Sequence, residues 1–279
     1  MYKTAYLTDK GLKRDINEDA LLVADTCGLF VIADGMGGHN RGEVASRIVV
    51  ESFQQILCSE EEGLTLAYTN IDNDSSDETL SYFEDEDEEN TIVYGEEIGG
   101  KANLYDKLNR IIEVSTQKII TYTKEKRVYG QMGTTVAGLY IVENSLDMAL
   151  FHLGDSRVYR IRESKIEQLT TDHSKYELMK QSGRYTNEEL DKVNRNSITK
   201  AIGNFTVIPL ELSYIELKID DIYILCSDGV SDLIQTYELL EIVESSKNIL
   251  EEAVIKIKNL VYERGAKDNL SIIIFKYQQ

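Results

Sequence analysis

Four aspartates stand at the ends of apolar runs that are predicted to be buried strands. Asp34 directly follows the run 30–33, and three glycines occur within the next four residues. Asp155 and Asp228 also follow apolar runs, and Asp268 precedes the last one. A strand that delivers an acid into a turn can point a carboxylate at a site, because glycine permits positive φ and a close approach of the backbone to a ligand.

Glu18 and Asp19 precede a further apolar run, so six carboxylates gather at one rim if the strand ends converge. Like charges at close range raise one another's pKa and destabilise a site, and only Arg14, His39 and Lys267 stand near them in the sequence. Bound divalent cations resolve this conflict, and an all-oxygen donor set favours Mg²⁺ or Mn²⁺ over zinc. Two such ions ~3.5–4 Å apart can share a hydroxide and hold it in line with a phosphoryl group. The alternative is that these acids cap unrelated loops and never meet.

The net charge of −19 is concentrated in one segment. Residues 59–98 contain fifteen Asp or Glu and no Lys or Arg, so the rest of the chain carries 34 acids against 30 bases. Phosphate repels such an acidic protein, and nucleic-acid binding is not expected. The segment 72–76 resembles the start of a calcium-binding loop, but Asp77 stands where that loop needs glycine.

Composition bounds the remaining possibilities. The 279 residues, 42% of them hydrophobic, suit one large domain with a sizeable core. No apolar run approaches the ~20 residues of a membrane span, and the N-terminus lacks signal-peptide character. Cys27, Cys58 and Cys226 are far apart, which predicts no disulfide framework and no zinc site and favours a cytoplasmic protein. None of them precedes an Arg by six residues, which argues against a cysteine-dependent phosphatase loop.

Periodicity predicts the elements that position these acids. Apolar residues recur at helical spacing over 43–59 and again over 104–122, which predicts a helix pair lying on a sheet. Short, closely spaced strands between 132 and 166 indicate hairpins and an antiparallel sheet. The polar stretch 170–203 is typical of a lid or a substrate-contact segment.

Taken together, these motifs resemble the metal-dependent protein phosphatase family, type 2C (PPM), in its bacterial form. They follow the family order over nearly the whole chain, and only the acidic segment lies outside them. The matching stretches are Arg14-x-x-Asn17-Glu18-Asp19, Asp34-Gly-Met-Gly-Gly-His39, Gly42-Glu43-x-Ala45-Ser46, Met132-Gly-Thr-Thr135, Gly154-Asp-Ser-Arg157, Thr171-Asp-His-Ser174, Ser227-Asp-Gly229 and Lys267-Asp-Asn269.

The resemblance implies an α+β fold, a four-layer α/β/β/α sandwich of two antiparallel sheets flanked by helix pairs. It implies one catalytic domain over 1–279, with an acidic insertion at about 59–100 and a flap at about 170–203. The implied activity is hydrolysis of phosphoserine and phosphothreonine through a metal-bridging water or hydroxide. Its partners would be phosphorylated proteins, either substrates of a serine/threonine kinase or the kinase itself. We expect no membrane association and a monomer.

The resemblance also assigns residues to a site for two Mn²⁺ or Mg²⁺ ions. Asp34 bridges both ions, and the Gly35 carbonyl binds one of them. Glu18 serves the second ion, while Asp228 and Asp268 serve the first. Asp19 holds metal-bound water, and Asp155 with Asp228 matches a third ion site of bacterial members. Arg14 grips the substrate phosphate, which suits a guanidinium fork, and His39 is a candidate acid for the leaving oxygen.

The flap departs from the family pattern at two places. The flap lacks the His-Pro that often precedes the matching Arg195-Asn196, and Lys200 stands where Arg is usual, which concerns substrate preference. A catalytically weak regulatory or binding module on the same fold is the main alternative, although every metal ligand is present. A sporulation-type regulatory phosphatase would typically lack Arg14. A calcium-binding scaffold built on the insertion is the third alternative.

Overall fold

A computed structural model describes residues 2–37, 41–58, 65–67, 100–128, 130–142, 147–203, 208–247 and 249–278. Its strands are β1 Tyr2–Asp9, β2 Asp19–Ala24, β3 Leu29–Met36, β4 Thr65–Ala67, β5 Gly133–Thr134, β6 Val136–Ile141, β7 Asp147–Leu153, β8 Arg157–Arg162, β9 Lys165–Gln168, β10 Ile202–Gly203, β11 Glu211–Glu216, β12 Ile222–Cys226 and β13 Leu270–Tyr277. Its helices are α1 Gly42–Leu57, α2 Gly100–Glu125, α3 Lys175–Ser182, α4 Asn187–Leu190, α5 Asp228–Ser231, α6 Thr236–Ser245 and α7 Leu250–Glu263.

The strands form two antiparallel sheets. One has five strands in the order β1-β13-β12-β8-β9. The other has eight strands and includes the path β10-β5-β3-β6-β7-β11, while β2 pairs with β3 on one side and with β4 on the other. Strands β2 and β3 are neighbours in both sequence and space, as are β6 and β7, which agrees with the hairpins expected from the sequence.

Three apolar layers hold the sandwich together. One lies between the sheets, where Phe30 of β3 stacks on Phe275 of β13 with ring centroids 4.3 Å apart. A second joins α1 and α2 to the outer face of the eight-stranded sheet, and a third joins α5, α6 and α7 to the five-stranded sheet. The central strands are buried on both faces, which is why they are nearly continuous apolar runs in the sequence. The predicted four-layer fold is confirmed.

Some boundaries differ from those expected. Helix α2 begins at Gly100 and ends at Glu125, so it extends beyond the periodic segment 104–122. Strand β3 does not end before Asp34 but continues to Met36, because Gly35 and Met36 pair with β5. Of the acidic insertion, only Thr65–Ala67 and the start of α2 are described, and β4 adds an edge strand to β2. The rest of the insertion lies outside the described residues, as does His39.

The prediction that the cysteines form no disulfide is wrong. Cys27 and Cys58 are disulfide-bonded, with their Cα atoms 5.8 Å apart. Cys27 lies in the turn between β2 and β3, and Cys58 follows the last residue of α1. A separation of 31 residues in sequence says little about distance once a helix folds back over a hairpin. Cys226 is buried and free.

Candidate functional site

The antiparallel pairing of the strands brings the predicted acids to one edge of the sandwich. Asp19 begins β2 and lies opposite Asp34 of β3 in the ladder. In the other sheet, Asp228 follows the end of β12, and Asp268 precedes the start of the adjacent strand β13. Antiparallel neighbours place the end of one strand beside the start of the next. We refer to Glu18, Asp19, Asp34, Asp155, Asp228 and Asp268 as the acid cluster.

A serine of one sheet binds an acid of the other. The Ser227 hydroxyl donates to Asp19 Oδ2 at 2.8 Å, and the same Oγ accepts from the Ser271 N–H at 2.9 Å. Ser227 is fully buried, and it immediately precedes Asp228. This hydrogen bond therefore fixes Asp19 relative to the end of β12 and to Asp228.

Glycines allow three chain segments to meet behind Glu18. The Gly35 N–H donates to Glu18 O at 3.0 Å, and the Gly42 N–H donates to Glu18 Oε1 at 3.1 Å. A Cβ at position 35 would lie 2.3 Å from the carbonyl oxygens of both Glu18 and Gly42, so only glycine fits there. Ser46 of α1 donates to Glu18 O at 2.6 Å. The Asp-Gly and Gly-Glu-x-Ala-Ser motifs thus lock the backbone that carries Glu18.

Asn269 organises the loop that carries Arg14. Its Oδ1 accepts from the Glu18 N–H at 2.9 Å, while its Nδ2 donates to Lys10 O at 3.1 Å and to Ile16 O at 2.9 Å. The side chain is nearly fully buried, and it donates hydrogen bonds to the backbone carbonyls at both ends of the 10–16 loop. One amide therefore holds the loop closed and sets the position of Glu18.

Arg14 reaches back over the acid cluster from this loop. Its Nη2 lies 2.8 Å from Asp268 Oδ2, and its Nη1 lies 3.7 Å from Glu18 Oε2. The Arg14 side chain is 42% exposed, so the guanidinium is open to solvent on one side. It is placed at the mouth of the site, where an anionic group would meet it.

Asp155 joins the cluster through a short polar network. Thr135 Oγ1 accepts from the Asp34 N–H at 3.1 Å and lies 2.7 Å from Ser156 Oγ, next to Asp155. Gly154 has φ of +116°, and a Cβ there would lie 2.5 Å from Thr135 Cβ, which requires glycine. The Met-Gly-Thr-Thr and Gly-Asp-Ser motifs are therefore one structural unit that orients Asp34 and Asp155.

Several carboxyl groups of the acid cluster have raised pKa values. Burial raises the pKa of Asp19 to about 7 and that of Asp155 to about 6. Burial, and then the charges of neighbouring members, raise the pKa of Asp34 and of Asp228 well above the ordinary range. Burial followed by the charge of Glu43 also raises the pKa of Glu18. These carboxylates lie close enough to oppose one another's ionisation.

Two buried oxygens in the cluster show what would relieve this repulsion. Asp19 Oδ1 and Asp155 Oδ1 are buried, and neither has a hydrogen-bond partner among the described residues. Buried polar atoms are nearly always satisfied, and a carboxylate oxygen can be satisfied by a cation. An all-carboxylate donor set with unpartnered oxygens fits a hard divalent cation such as Mn²⁺ or Mg²⁺.

A second group with metal-ligand side chains consists of His152, His173 and Glu211, whose ligand atoms lie within 4.8 Å of one another. The Gly154 N–H donates to His173 Nδ1 at 3.0 Å, so the proton of the neutral ring is on Nε2, which lies 2.6 Å from Glu211 Oε1. His152 Nε2 lies 3.0 Å from the carbonyl of Thr171, which can only accept. Burial lowers the pKa of both histidines. Both Nε2 atoms therefore carry protons, and the lone pair of His173 Nδ1 accepts the Gly154 N–H, so His173 has no nitrogen lone pair for a metal.

His173 instead ties the flap to the acid cluster. Its carbonyl accepts from the Thr199 N–H at 2.7 Å, close to the other end of the flap. Lys200 donates to Glu211 Oε1 at 2.9 Å. Lys200 therefore joins the group formed by His152, His173 and Glu211 at the base of the flap. The flap contains two short helices, α3 and α4, and the Ser174 side chain caps the first by accepting a hydrogen bond from the Glu177 N–H.

A cavity of about 580 Å³ lies between the flap and the acid cluster. Asp155 and Asp228 line it from the cluster, and α3 and the segment 195–196 line it from the flap. Arg195 stacks over the ring of Tyr176, and Asn196 donates to Asp232 Oδ2 at 2.9 Å, which connects the flap to the end of α5. The predicted flap therefore adjoins the predicted site.

The structure brings all the described site candidates together, and it adds residues that the sequence interpretation gave no role. Ser227 and Asn269 were within quoted motifs, but nothing in their local pattern indicates partners more than two hundred residues away. Asp232 lines the cavity one helical turn after Asp228, and that i, i+4 spacing was a usable signal. Among the described residues, no helix is both long and apolar enough to cross a lipid bilayer.

The fold defines a class of protein in which two packed antiparallel sheets, covered by helices, carry a cluster of buried carboxylates at one edge. Comparison with known proteins identifies the family. The protein phosphatase 2C family matches residues 12–261, and the chain therefore belongs to that family.

Bacterial proteins are similar over nearly the whole chain. The serine/threonine protein phosphatase PstP of Mycobacterium tuberculosis is 28% identical over 274 residues, and the match covers 96% of this chain but 43% of PstP. The protein phosphatase PhpP of Streptococcus pneumoniae is also 28% identical, and the match covers 96% of this chain and 94% of PhpP. The chain thus spans less than half the length of PstP and nearly all of PhpP.

Solved structures show the same architecture. The crystal structure of the M. tuberculosis phosphatase PstP/Ppp matches with a TM-score of 0.77 and 25% identity, and the match covers 100% of this chain and 99% of that one. The catalytic domain of PstP in complex with two manganese ions matches with a TM-score of 0.74 and 25% identity over 100% and 99% of the two chains.

Proposed function

We propose that this chain is a metal-dependent serine/threonine protein phosphatase whose metal centre is the acid cluster. The convergence of six carboxylates from both sheets, two of them with buried oxygens that lack partners, carries the proposal. Family membership and the manganese complex of PstP support it. No observation favours a catalytically weak binding module, because every described ligand position is occupied by a suitable residue.

Each acid has a distinct place in this proposal. Asp34, in the middle of the cluster, would hold both ions of a two-metal centre, with Glu18 and the Gly35 carbonyl on one side. Asp228 and Asp268 would hold the other ion, and Asp19 would accept a hydrogen bond from coordinated water. Asp155 and Asp228 would provide a third site beside the cavity. When bound, Mn²⁺ or Mg²⁺ supplies a water of lowered pKa and neutralises charge on the phosphoryl group.

The remaining residues position the substrate. Arg14 stands at the mouth of the cluster and would bind two phosphate oxygens through its guanidinium fork. The transition state of phosphoryl transfer requires alignment and charge stabilisation more than covalent chemistry. The cavity beside the flap would receive the polypeptide that carries the phosphoresidue. The role of His39 as acid for the leaving oxygen rests on its motif alone.

The physiological partners in this proposal are phosphoproteins of a serine/threonine kinase pathway, including the kinase itself. The proteins named PstP and PhpP support the substrate class. Turnover of a phosphothreonine peptide distinguishes a protein phosphatase from a hydrolase of small phosphate esters. The test therefore uses such a peptide beside para-nitrophenyl phosphate.

The test measures phosphate release from both substrates with Mn²⁺, with Mg²⁺ and with excess EDTA. We expect turnover of both substrates with Mn²⁺ and at least a ~100-fold loss with EDTA, because a cation-activated water and charge neutralisation are removed. Equal rates with Mn²⁺ and EDTA would contradict the metal centre. Turnover of para-nitrophenyl phosphate without turnover of any phosphopeptide would contradict the protein-substrate assignment.

A further inference from the structure

Two chain segments beside the acid cluster form one surface. The Leu12 N–H donates to Ala266 O at 2.9 Å, and a Cβ at Gly11 would lie 2.3 Å from Asp268 O. Asn269 closes the base of the 10–16 loop from the same side. The loop 10–16 and the segment 264–268 are therefore packed backbone against backbone, and Arg14 emerges from their junction. We call these two segments the rim.

The rim is basic, although the chain as a whole has a net charge of −19. It contains five Lys or Arg and two Asp, a net charge of +3 over its twelve residues. Lys10, Lys13 and Lys267 are exposed, and none forms an ion pair with a residue that the structure describes. By contrast, Arg14 and Arg264 of the rim are paired with carboxylates. The three lysines therefore present uncompensated positive charge around the arginine proposed to bind phosphate.

The same loop also exposes apolar side chains. Leu12 and Ile16 are 55% and 56% exposed, and they alternate with the lysines along the loop. Neither is needed for the core, since the core layers are formed by other residues. A surface that combines unpaired lysines with exposed aliphatic side chains suits an extended peptide with acidic and apolar residues.

The opposite side of the site differs in charge. The cavity beside the flap is lined by five acids and three bases, and two of those bases are paired with acids of the same cavity: Arg157 with Asp172, and Lys180 with Glu177. Two of the five acids, Asp155 and Asp228, are proposed metal ligands, and the other three acids balance the three bases. This cavity therefore has no excess positive charge for an acidic flank of a substrate, whereas the rim has. Charge at such a surface selects partners and their orientation more than it adds affinity.

We propose that Lys10, Lys13 and Lys267 bind Asp or Glu side chains that flank the phosphoresidue of a protein substrate. The proposal deepens the proposed phosphatase function and rests on it for the meaning of the substrate. It assigns the enzyme a preference for phosphosites with acidic neighbours, and it sets the direction in which the peptide crosses the site, with its acidic flank on the rim. The lysines are binding residues and take no part in bond cleavage.

The test compares two phosphothreonine peptides of equal length, one with Asp and Glu flanks and one with Ser and Gln flanks. The variant is Lys10→Gln/Lys13→Gln/Lys267→Gln, and the control is Lys165→Gln. Lys165 is also exposed and without an ion pair to a described residue, but it lies at the β8–β9 turn, at the opposite end of β8 from Asp155. The readout is the ratio of kcat/KM for the acidic and neutral peptides, which cancels any loss of folded enzyme.

We expect the triple variant to lower this ratio by about 5-fold at low ionic strength, in line with the small contribution of each exposed ion pair. The effect should fall below about 2-fold in 1 M salt, where the Debye length is ~3 Å. Lys10→Glu/Lys13→Glu/Lys267→Glu should reverse the preference toward a peptide with Lys and Arg flanks. Lys165→Gln should retain the wild-type ratio. An unchanged ratio in the triple variant, or an equal change in the control, would overturn the proposal.

Two further arms identify the cause of a negative result. Equilibrium binding of both peptides in EDTA, followed by fluorescence anisotropy, tests the rim without turnover. Loss of the acidic preference in binding supports the rim even if neither peptide is hydrolysed, in which case the phosphatase function fails. The same ratios are also measured with residues 70–98 replaced by a Gly/Ser linker. If the triple lysine variant no longer lowers the ratio of kcat/KM in the protein with the linker, the three lysines act through the chain's own acidic segment. In that case the substrate proposal is wrong.

Discussion

Asn269 holds the backbone of Glu18 from 251 residues away, with Asn269 Oδ1 2.9 Å from Glu18 N. The same amide group donates to the carbonyls at both ends of the loop that carries Arg14. Asn269 is also the neighbour of Asp268. One buried side chain thus links two proposed metal ligands to the residue proposed to bind phosphate.

Asn269→Asp should therefore weaken both metal binding and substrate binding. The carboxylate has no donor for Lys10 O and Ile16 O, and it adds charge beside the acid cluster. We expect about a 10–100-fold loss in apparent Mn²⁺ affinity, which is the usual effect of changing a group that orients metal ligands, together with a raised KM. The Mn²⁺ affinity is measured by following activity and thermal stability as Mn²⁺ is added. Asn187→Asp, at an exposed position in α4, is the control, and equal Mn²⁺ titrations for both variants would show that Asn269 has no positioning role.

Asp34→Asn and Asp228→Asn should each lower kcat by at least ~1000-fold, because each removes a carboxylate from the centre of a two-metal site. Isothermal titration with Mn²⁺ should show fewer ions bound or a large loss of affinity. Asp106→Asn, at an exposed position of α2, changes the same charge away from the site and should leave kcat within about 2-fold, as is usual for surface substitutions. A wild-type Mn²⁺ isotherm for Asp34→Asn would show that the ligand assignment is wrong.

Arg14→Ala should mainly raise KM, because the guanidinium would bind phosphate in the ground state and the transition state alike. We expect an increase of about 10-fold or more, the factor that corresponds to ~1.4 kcal/mol. Arg14→Lys should recover only part of the loss, since an ammonium lacks the planar two-donor fork. Steady-state kinetics with the phosphothreonine peptide distinguish these cases, with Arg110→Ala on α2 as the control. If KM and kcat both stay at wild-type values, Arg14 does not contact the substrate.

The metal-free protein should lose stability as the pH rises from about 5 to 8. Asp19 and Asp155 have folded-state pKa values of about 7 and about 6, above the ordinary value of 3.8. A carboxyl with a raised pKa binds its proton more tightly in the folded state, so folding is favoured while the group is protonated. This contribution is lost as the pH rises through the folded pKa.

Melting curves in EDTA across this pH range check the prediction, and we expect Tm to fall by about 5 °C or more at ~2–4 °C per kcal/mol. Mn²⁺ should raise Tm more at pH 8 than at pH 5, because protons compete with cations for the same oxygens. A Tm in EDTA that rises between pH 5 and 8 would contradict the raised pKa values.

The acidic insertion should be dispensable for chemistry once β4 is retained. Replacing residues 70–98 with a short Gly/Ser linker should keep kcat for para-nitrophenyl phosphate within about 2-fold, because none of the proposed ligands lies there. Shortening a loop changes its closure free energy by only ~0.6 kcal/mol per halving. Replacing 60–98 also removes β4 and exposes the edge of β2, so this variant should have the lower Tm. A loss of folding or turnover with the first linker would show that the segment is part of the catalytic domain.

Much of this site followed from local sequence. Strand-end acids such as Asp34 and Asp228, and the glycines that follow them, are visible because buried strands are apolar runs and turns require glycine. The four-layer fold came from the resemblance of motifs in order along the chain. The helix pair, the hairpins and the flap position were also accessible from periodicity and composition.

Only the tertiary structure could pair residues that are remote in sequence. Ser227 with Asp19, Asn269 with Glu18, and Cys27 with Cys58 depend on the register of the sheets and on which face of a helix meets which hairpin. A pattern of period 2 or 3.6 states which side of an element is apolar, but it contains no information about the partner across the core. The acids proposed to bind metal could therefore be picked out from the chain, whereas the hydrogen bonds that orient them were decided by packing.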